Sequence, residues 1–298
     1  DLADRQGSLL TATRERGAVL AESQLTTFGG PFVWLAADDP QGALEAIASV
    51  ENHWRDVEYQ VYHFTLLSAK SEIALYEGRG MEALEAVNRE WPQLRGALLL
   101  HVEIVRTYMN YLRGRAALAT AVEGRDSAEA IEHARQSAKV LSRMKPHFAR
   151  GGGHDLRAAL AHREGDHERA VSELEQAVRE FDADRMGLYA NCARYRLGEL
   201  TGGDTGRELV EGYRSWAAEQ GVKPVTRIGD LLGSSVGLWK NEEDAESFLR
   251  ALEEALRRHA RDELGERRAV DAQDLRALGD VPALVIEGLG NVEPLHIL

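Results

Sequence analysis

At 298 residues, 44% of them hydrophobic, the chain is long enough to bury a large core, as one extended array or as two domains. Aromatic residues are only 6% while Ala, Leu, Glu and Arg are abundant, which favours helices over sheets. The formal net charge of −13 argues against a surface that tracks nucleic-acid phosphates, and the one cysteine, Cys192, excludes an intrachain disulfide.

Taken in order, residues 8–27 read as a first helix ended by Gly29-Gly30-Pro31. A short apolar segment, 32–37, follows. Asp39 is then placed to cap a helix whose first residue is Pro40 and which runs to about Trp54. Tyr59 to Glu77 is the next helix, broken by Gly78 and Gly80. Its partner carries Met81, Leu84, Val87 and Trp91 and stops near Pro92. Leu98 to Val122 reads as one long, apolar and therefore central helix ended by Gly124, and 127–144 as another. Lys145-Pro146 marks a boundary, followed by Gly151-Gly152-Gly153.

The stretch from Leu156 to Leu200 organises the rest. It reads as helix, turn (Glu164-Gly165-Asp166), helix, and then a third helix of the same kind, with apolar residues three and four apart. Thr201-Gly202-Gly203-Asp204 breaks the pattern before a last repeat helix at 205–219, with Gly221 as a left-handed cap. A turn glycine precedes a small residue by five positions twice: Gly78 before Ala83, and Gly165 before Ala170. That is the second half of a tetratricopeptide signature, with Gly in the hairpin turn and Ala where helices cross. The aromatic positions of that motif match poorly. The expected fold is all-α, a tetratricopeptide-like α-solenoid of helical hairpins over residues 1–232.

Residues 233–298 are expected to form a small helical or α+β appendage. Gly233-Ser234-Ser235 reads as a hinge, and Asn241 caps a helix with acidic residues in its first turn and Arg257, Arg258 and His259 near its end. Ala283 to Ile286 is β-like, so a small hairpin or a tail that docks on a partner is expected there. Arg257, Arg258, Arg261, Arg267 and Arg268 make a basic patch, but Asp and Glu residues interleave with it.

Four groups invite a chemical reading. Gly151-Gly152-Gly153-His154 has neither a preceding strand nor a following Lys in place, so a flexible connection is expected rather than a phosphate loop. His162, Glu164, Asp166 and His167 straddle a turn without metal-ligand spacing and read as solvated turn residues. His53, Trp54, Tyr59, Tyr62 and His63 form the densest aromatic cluster, suited to packing between hairpins or to a ligand site. Arg95, His101, Arg106, Tyr108, Asn110 and Arg113 are assigned to the long helix. Of these, Arg106, Asn110 and Arg113 lie four and three apart and share a face. If that face is concave, it suits carboxylates or an acidic peptide; the alternative is a solvated face. The partner-binding candidates are therefore Arg106, Asn110, Arg113, Tyr59, Tyr62 and His63. No catalytic set, metal site or cofactor is expected.

FVWLAADDPQGA (32–43), REWPQLRGALLLHVEIVR (89–106), ANCARYRLGELTGGDTGRELV (190–210) and SWAAEQGVKPVTR (215–227) resemble a known region. It is the C-terminal tetratricopeptide-like part of large bacterial multidomain serine/threonine kinases that also carry an AAA-type, STAND-like ATPase. The resemblance implies a sensor or scaffold that regulates upstream domains. No HRD-type loop, DFG or GxxxxGK[ST] motif occurs here, so kinase activity does not carry over.

The expected function is thus a non-catalytic sensor or scaffold that binds a partner protein, a peptide or a small effector. The alternatives are a subunit of a signalling ATPase or kinase whose chemistry lies outside this chain, and the ligand-sensing arm of a transcription regulator. The chain begins at Asp1, which leaves upstream domains open. It has no signal-peptide pattern and no apolar run of about 18 residues, so no membrane contact and a cytoplasmic location are expected.

Overall fold

The computed structural model describes residues 2–15, 19–28, 30–54, 57–122, 128–223 and 228. Among these residues every regular element is helical, and neighbouring helices pack as an α-solenoid. The elements are α1 (Leu2–Glu15), α2 (Val19–Thr27), α3 (Gly30–Ala36), α4 (Pro40–Glu51), α5 (Val61–Tyr76), α6 (Gly80–Gly96), α7 (Glu103–Val122), α8 (Ala128–Leu141), α9 (His147–Arg163), α10 (His167–Ala183), α11 (Gly187–Thr201) and α12 (Gly203–Glu219). Short 3₁₀ turns follow α4 and precede α7. The expected hinge, Asn241-capped helix, hairpin, docking tail and arginine patch of 233–298 lie outside the described residues, as does Gly124.

Consecutive helices pair as hairpins: α5 with α6, α7 with α8, α9 with α10, α11 with α12. The first helices also stack on one another, α5 on α7 and α7 on α9. The turn glycines behave as their spacing predicts. Gly78 and Gly165 have φ of +75° and +78°, a conformation that Cβ-bearing residues adopt only under strain. Five residues on, Ala83 and Ala170 are 1% and 0% exposed, small enough for helices to meet. Asp39 caps α4, accepting a hydrogen bond from the Gly42 N–H at 2.9 Å, with Pro40 in the first turn.

Five local expectations need correction. The single helix at 8–27 is two helices, α1 and α2, packed together and bridged by an Arg14–Glu22 ion pair of 2.6 Å. The segment after Pro31 is helix α3, because Phe32 and Leu35 bury one turn apart against α4 and α5. Helix α6 runs through Pro92 to Gly96, since the buried Leu94 anchors the turn beyond it. The long helix from Leu98 starts only at Glu103. Leu98 turns left-handed (φ +61°), Val102 is extended, and the link was hidden in an apolar run because Leu99 and Val102 are themselves buried. Arg95 and His101 therefore lie off α7.

The fifth correction is Gly151-Gly152-Gly153, which is not a connection but the buried middle of α9. Each helical Gly costs about 1 kcal/mol relative to Ala. Here the small residues admit close neighbours. A Cβ would come within 2.6 Å of the Phe181 ring at Gly151, 3.0 Å of the Tyr111 ring at Gly152, and 3.0 Å of the Ser142 backbone nitrogen at Gly153.

Three apolar clusters fill the body. One joins α5 to α8, and a second joins α7 to α11 around Tyr111, Phe148, Phe181 and Tyr189. The third joins early and late helices of the described residues: Phe32, Leu35, Ala43 and Ile47 pack in one cluster with Ile73 of α5 and with Leu188, Cys192, Tyr213 and Ala217 of α11 and α12. The Lys223 N–H then donates to the Ala36 carbonyl at 2.9 Å, so the segment after α12 touches the end of α3. The array of hairpins closes on itself.

Helices α11 and α12 meet backbone to backbone, where a Cβ on Gly198 would lie 2.7 Å from the Gly206 carbonyl oxygen, and one on Gly206 would overlap the Gly198 carbonyl. Backbone cannot step aside as a side chain can. Gly206→Ala is expected to lower stability by about 1–3 kcal/mol through overpacking. Gly212→Ala, on the same helix with no neighbour within 4 Å, is expected to raise it by about 0.5–1 kcal/mol. Urea unfolding of both variants checks the pair.

Candidate functional site

The predicted residues fall into two groups, one on each side of α6. At the start of α5, Tyr59 stacks on His63 (4.9 Å between ring centroids) and Tyr62 on His63 (5.0 Å). His63 Nδ1 accepts the Gln60 N–H at 3.1 Å, so this histidine caps α5. Tyr62 is only 3% exposed, and burial raises its phenol above the ordinary tyrosine range.

On α7, Asn110 is 7% exposed and donates back to the Arg106 carbonyl at 2.7 Å. Arg113 is half-buried and lies over the Trp91 ring, 4.5 Å from its centroid, while its Nε donates to Asn88 Oδ1 at 2.8 Å. Its other arm approaches His133 Nε2 at 3.4 Å. Arg106 leaves its Nε buried without a hydrogen-bond partner. Neither arginine forms an ion pair among the described residues. Burial, and then the neighbouring Arg95, lower the affinity of the Arg113 guanidinium for its proton. No hydrogen bond, ion pair or ring contact joins the α5 group to the α7 group.

Burial takes Tyr62 and Asn110 out of reach of a partner in this conformation. Tyr59 and His63 stay half-exposed at the start of α5. On α7, Arg113 stays half-exposed with Trp91, Asn88 and His133, a cationic and aromatic junction spanning α6, α7 and α8, with Arg106 two turns back on the same helix. Sequence reasoning identified the arginines but not Asn88, Trp91 or His133 as their supports. By spacing alone Trp91 is only an apolar residue of the preceding helix.

Between the first helices lies a polar network that sequence reasoning missed. Glu72 of α5 and Arg115 of α7 form a two-pronged ion pair, Nη1 to Oε1 at 2.9 Å and Nη2 to Oε2 at 2.7 Å, with side chains 1% and 2% exposed. The Tyr108 hydroxyl donates to Glu72 Oε1 at 2.8 Å. Arg115 lies 5.3 Å from the Tyr111 ring centroid, and the Tyr111 hydroxyl donates to Asp155 Oδ2 of α9 at 2.8 Å. The signal was present: Glu72 and Arg115 are charges among apolar helical neighbours, a position that demands a partner.

The remaining suspects are structural. Cys192 is fully buried, and burial pushes its thiol well above the usual range. Asp166 caps α10 by accepting the Arg169 N–H at 3.1 Å, and Glu164 pairs with Arg135 at 2.9 Å. Among the described residues there is no group of His, Cys, Asp and Glu that could hold a metal, and no helix long and apolar enough to cross a membrane. Compared with family models, curated proteins and solved structures, the chain has no match.

Asp155 makes the network sensitive to pH. Burial raises its carboxyl to about 7, against the smaller opposing pulls of the Tyr111 hydrogen bond and of Arg115 and Arg196. An unfolded chain releases this proton near pH 4. Between that pH and about 7 the folded protein holds a proton that the unfolded chain has lost. Stability from this group therefore falls as pH rises through that window and levels off above it. Asp155→Asn cannot ionise and still accepts from Tyr111. Its stability relative to the native protein is expected to grow from pH 4.5 to pH 7 and then stay constant, as read by urea unfolding at stepped pH.

Proposed function

We propose that this chain is a non-catalytic helical-repeat module that binds a partner protein or a small effector and regulates attached or associated domains. The supporting observation is the Arg113 junction. A guanidinium with no carboxylate partner is held by Trp91 and Asn88 at a place where three consecutive helices meet. Fixed orientation and the lack of a direct ion pair favour recognition of a carboxylate on the incoming partner, because little side-chain entropy is lost on contact. A second arginine, Arg106, lies two turns back on the same helix face.

The closed ring of hairpins supports the regulatory half of the reading. The hairpins are joined by buried charges rather than apolar contacts alone, so a displacement at one is felt by the next.

Affinity purification of the full chain, read by mass spectrometry, tests this. A partner retained at near-stoichiometric yield is expected, and it should be lost with Arg106→Glu/Arg113→Glu. A thermal melt of that variant close to the native one assigns the loss to the surface. Retention of the partner by the variant would move the contact elsewhere, and absence of any retained protein or small molecule would contradict the binding reading.

A further inference from the structure

A second surface, sharing no residue with the Arg113 junction, carries its own ligand signal. A recess of about 430 Å³ opens where α8, α9 and α10 meet. Arg135 and Lys139 of α8, with Arg143 just beyond its end, follow one another at four-residue spacing along one wall. Arg157 of α9 and Arg169 of α10 approach from the other sides. Leu160 and Ala138, 6% and 2% exposed, line it with apolar surface.

The charges do not cancel. Glu164, which lines the recess, takes Arg135 at 2.9 Å and reaches Arg169 at 3.8 Å. Glu173 takes Arg157 at 3.0 Å, and the same guanidinium donates to the Ser142 hydroxyl. Lys139 and Arg143 are exposed and have no ion-pair partner among the described residues. Five cations against these two carboxylates leave a local charge of +3 in a chain whose formal charge is −13. Converging cations in a concavity focus positive potential and draw anions to it.

We infer that this recess binds a phosphate-bearing small molecule of nucleotide size. Arginine forks match phosphate oxygens two at a time, and the exposed Arg143 guanidinium has no ion pair among the described residues, while Arg157 is fixed in the wall by Glu173, Ser142 and His154. The volume lies in the range of small-molecule sites, roughly 300–1,000 Å³. The Leu160 and Ala138 surface suits an apolar or ring portion beside the phosphates. An acidic peptide would satisfy the charges, but it needs a continuous groove, whereas here three helices converge on one recess.

Calorimetric titration of the full chain with ADP, pyrophosphate, inorganic phosphate and a hexaglutamate peptide tests the assignment. Saturable binding of ADP and pyrophosphate is expected, tighter than inorganic phosphate. Lys139→Glu/Arg143→Glu should weaken it by about tenfold or more. Both residues are exposed, so the variant should fold, and Lys139→Ala/Arg143→Ala repeats the test without new charge. Any of three results overturns the inference: no saturable binding of ADP or pyrophosphate at millimolar concentration, affinity unchanged in both variants, or hexaglutamate binding tightest.

Discussion

The Glu72–Arg115 ion pair sets the terms for the rest of the fold. Two opposite charges, both almost fully buried, have been taken out of water, which costs several kcal/mol per ion even after relaxation. Two parallel hydrogen bonds and the Tyr108 hydroxyl offset that cost only when α5 and α7 stand at one separation and one register. Loss of either partner would strand the other, typically at about 3–5 kcal/mol, whereas an apolar pair of similar volume is often neutral. The pair is thus better explained as a device for specifying alignment than as a source of net stability.

The alignment propagates. Arg115 faces the Tyr111 ring, Tyr111 bonds to Asp155, and Asp155 sits on the helix whose three glycines admit Phe181, Tyr111 and Ser142. Phe148, Phe181 and Tyr189 then pack ring against ring at 5.0 to 6.1 Å between centroids and carry the packing to α11. From there Tyr213 and Ala217 share a core with Phe32 and Leu35, near the other end of the described chain.

The repeating features were legible in the sequence because they are local. Gly78 and Gly165, the alanines five residues on, the Asp39-Pro40 cap and the apolar spacing of α10 each act within a few residues of themselves. What escaped was settled at long range. Gly151-Gly152-Gly153 reads as a linker until Phe181 and Tyr111 are known to press on it. Leu98 looks like the start of a helix because nothing local shows that it turns left-handed. Arg113 was legible as a cation on a shared face, but its support comes from Asn88 and Trp91 on the preceding helix and His133 on the following one. Glu72, Arg115 and Asp155 are separated by about 40 residues each, too far for any periodicity to pair them.

The hairpin array closes around that buried network, and one cross-link probes the closure. The Lys223 N–H donates to the Ala36 carbonyl at 2.9 Å, which brings the two backbones into contact. The native chain has one cysteine, Cys192, and it is buried. Ala36→Cys/Lys223→Cys, oxidised under native conditions, should form an intramolecular disulfide in nearly every molecule, seen as a mass loss of about two protons, with the thermal melt unchanged or raised. Free thiols persisting at both positions in the folded monomer would mean that α3 and the segment after α12 stand apart, and would contradict a closed array.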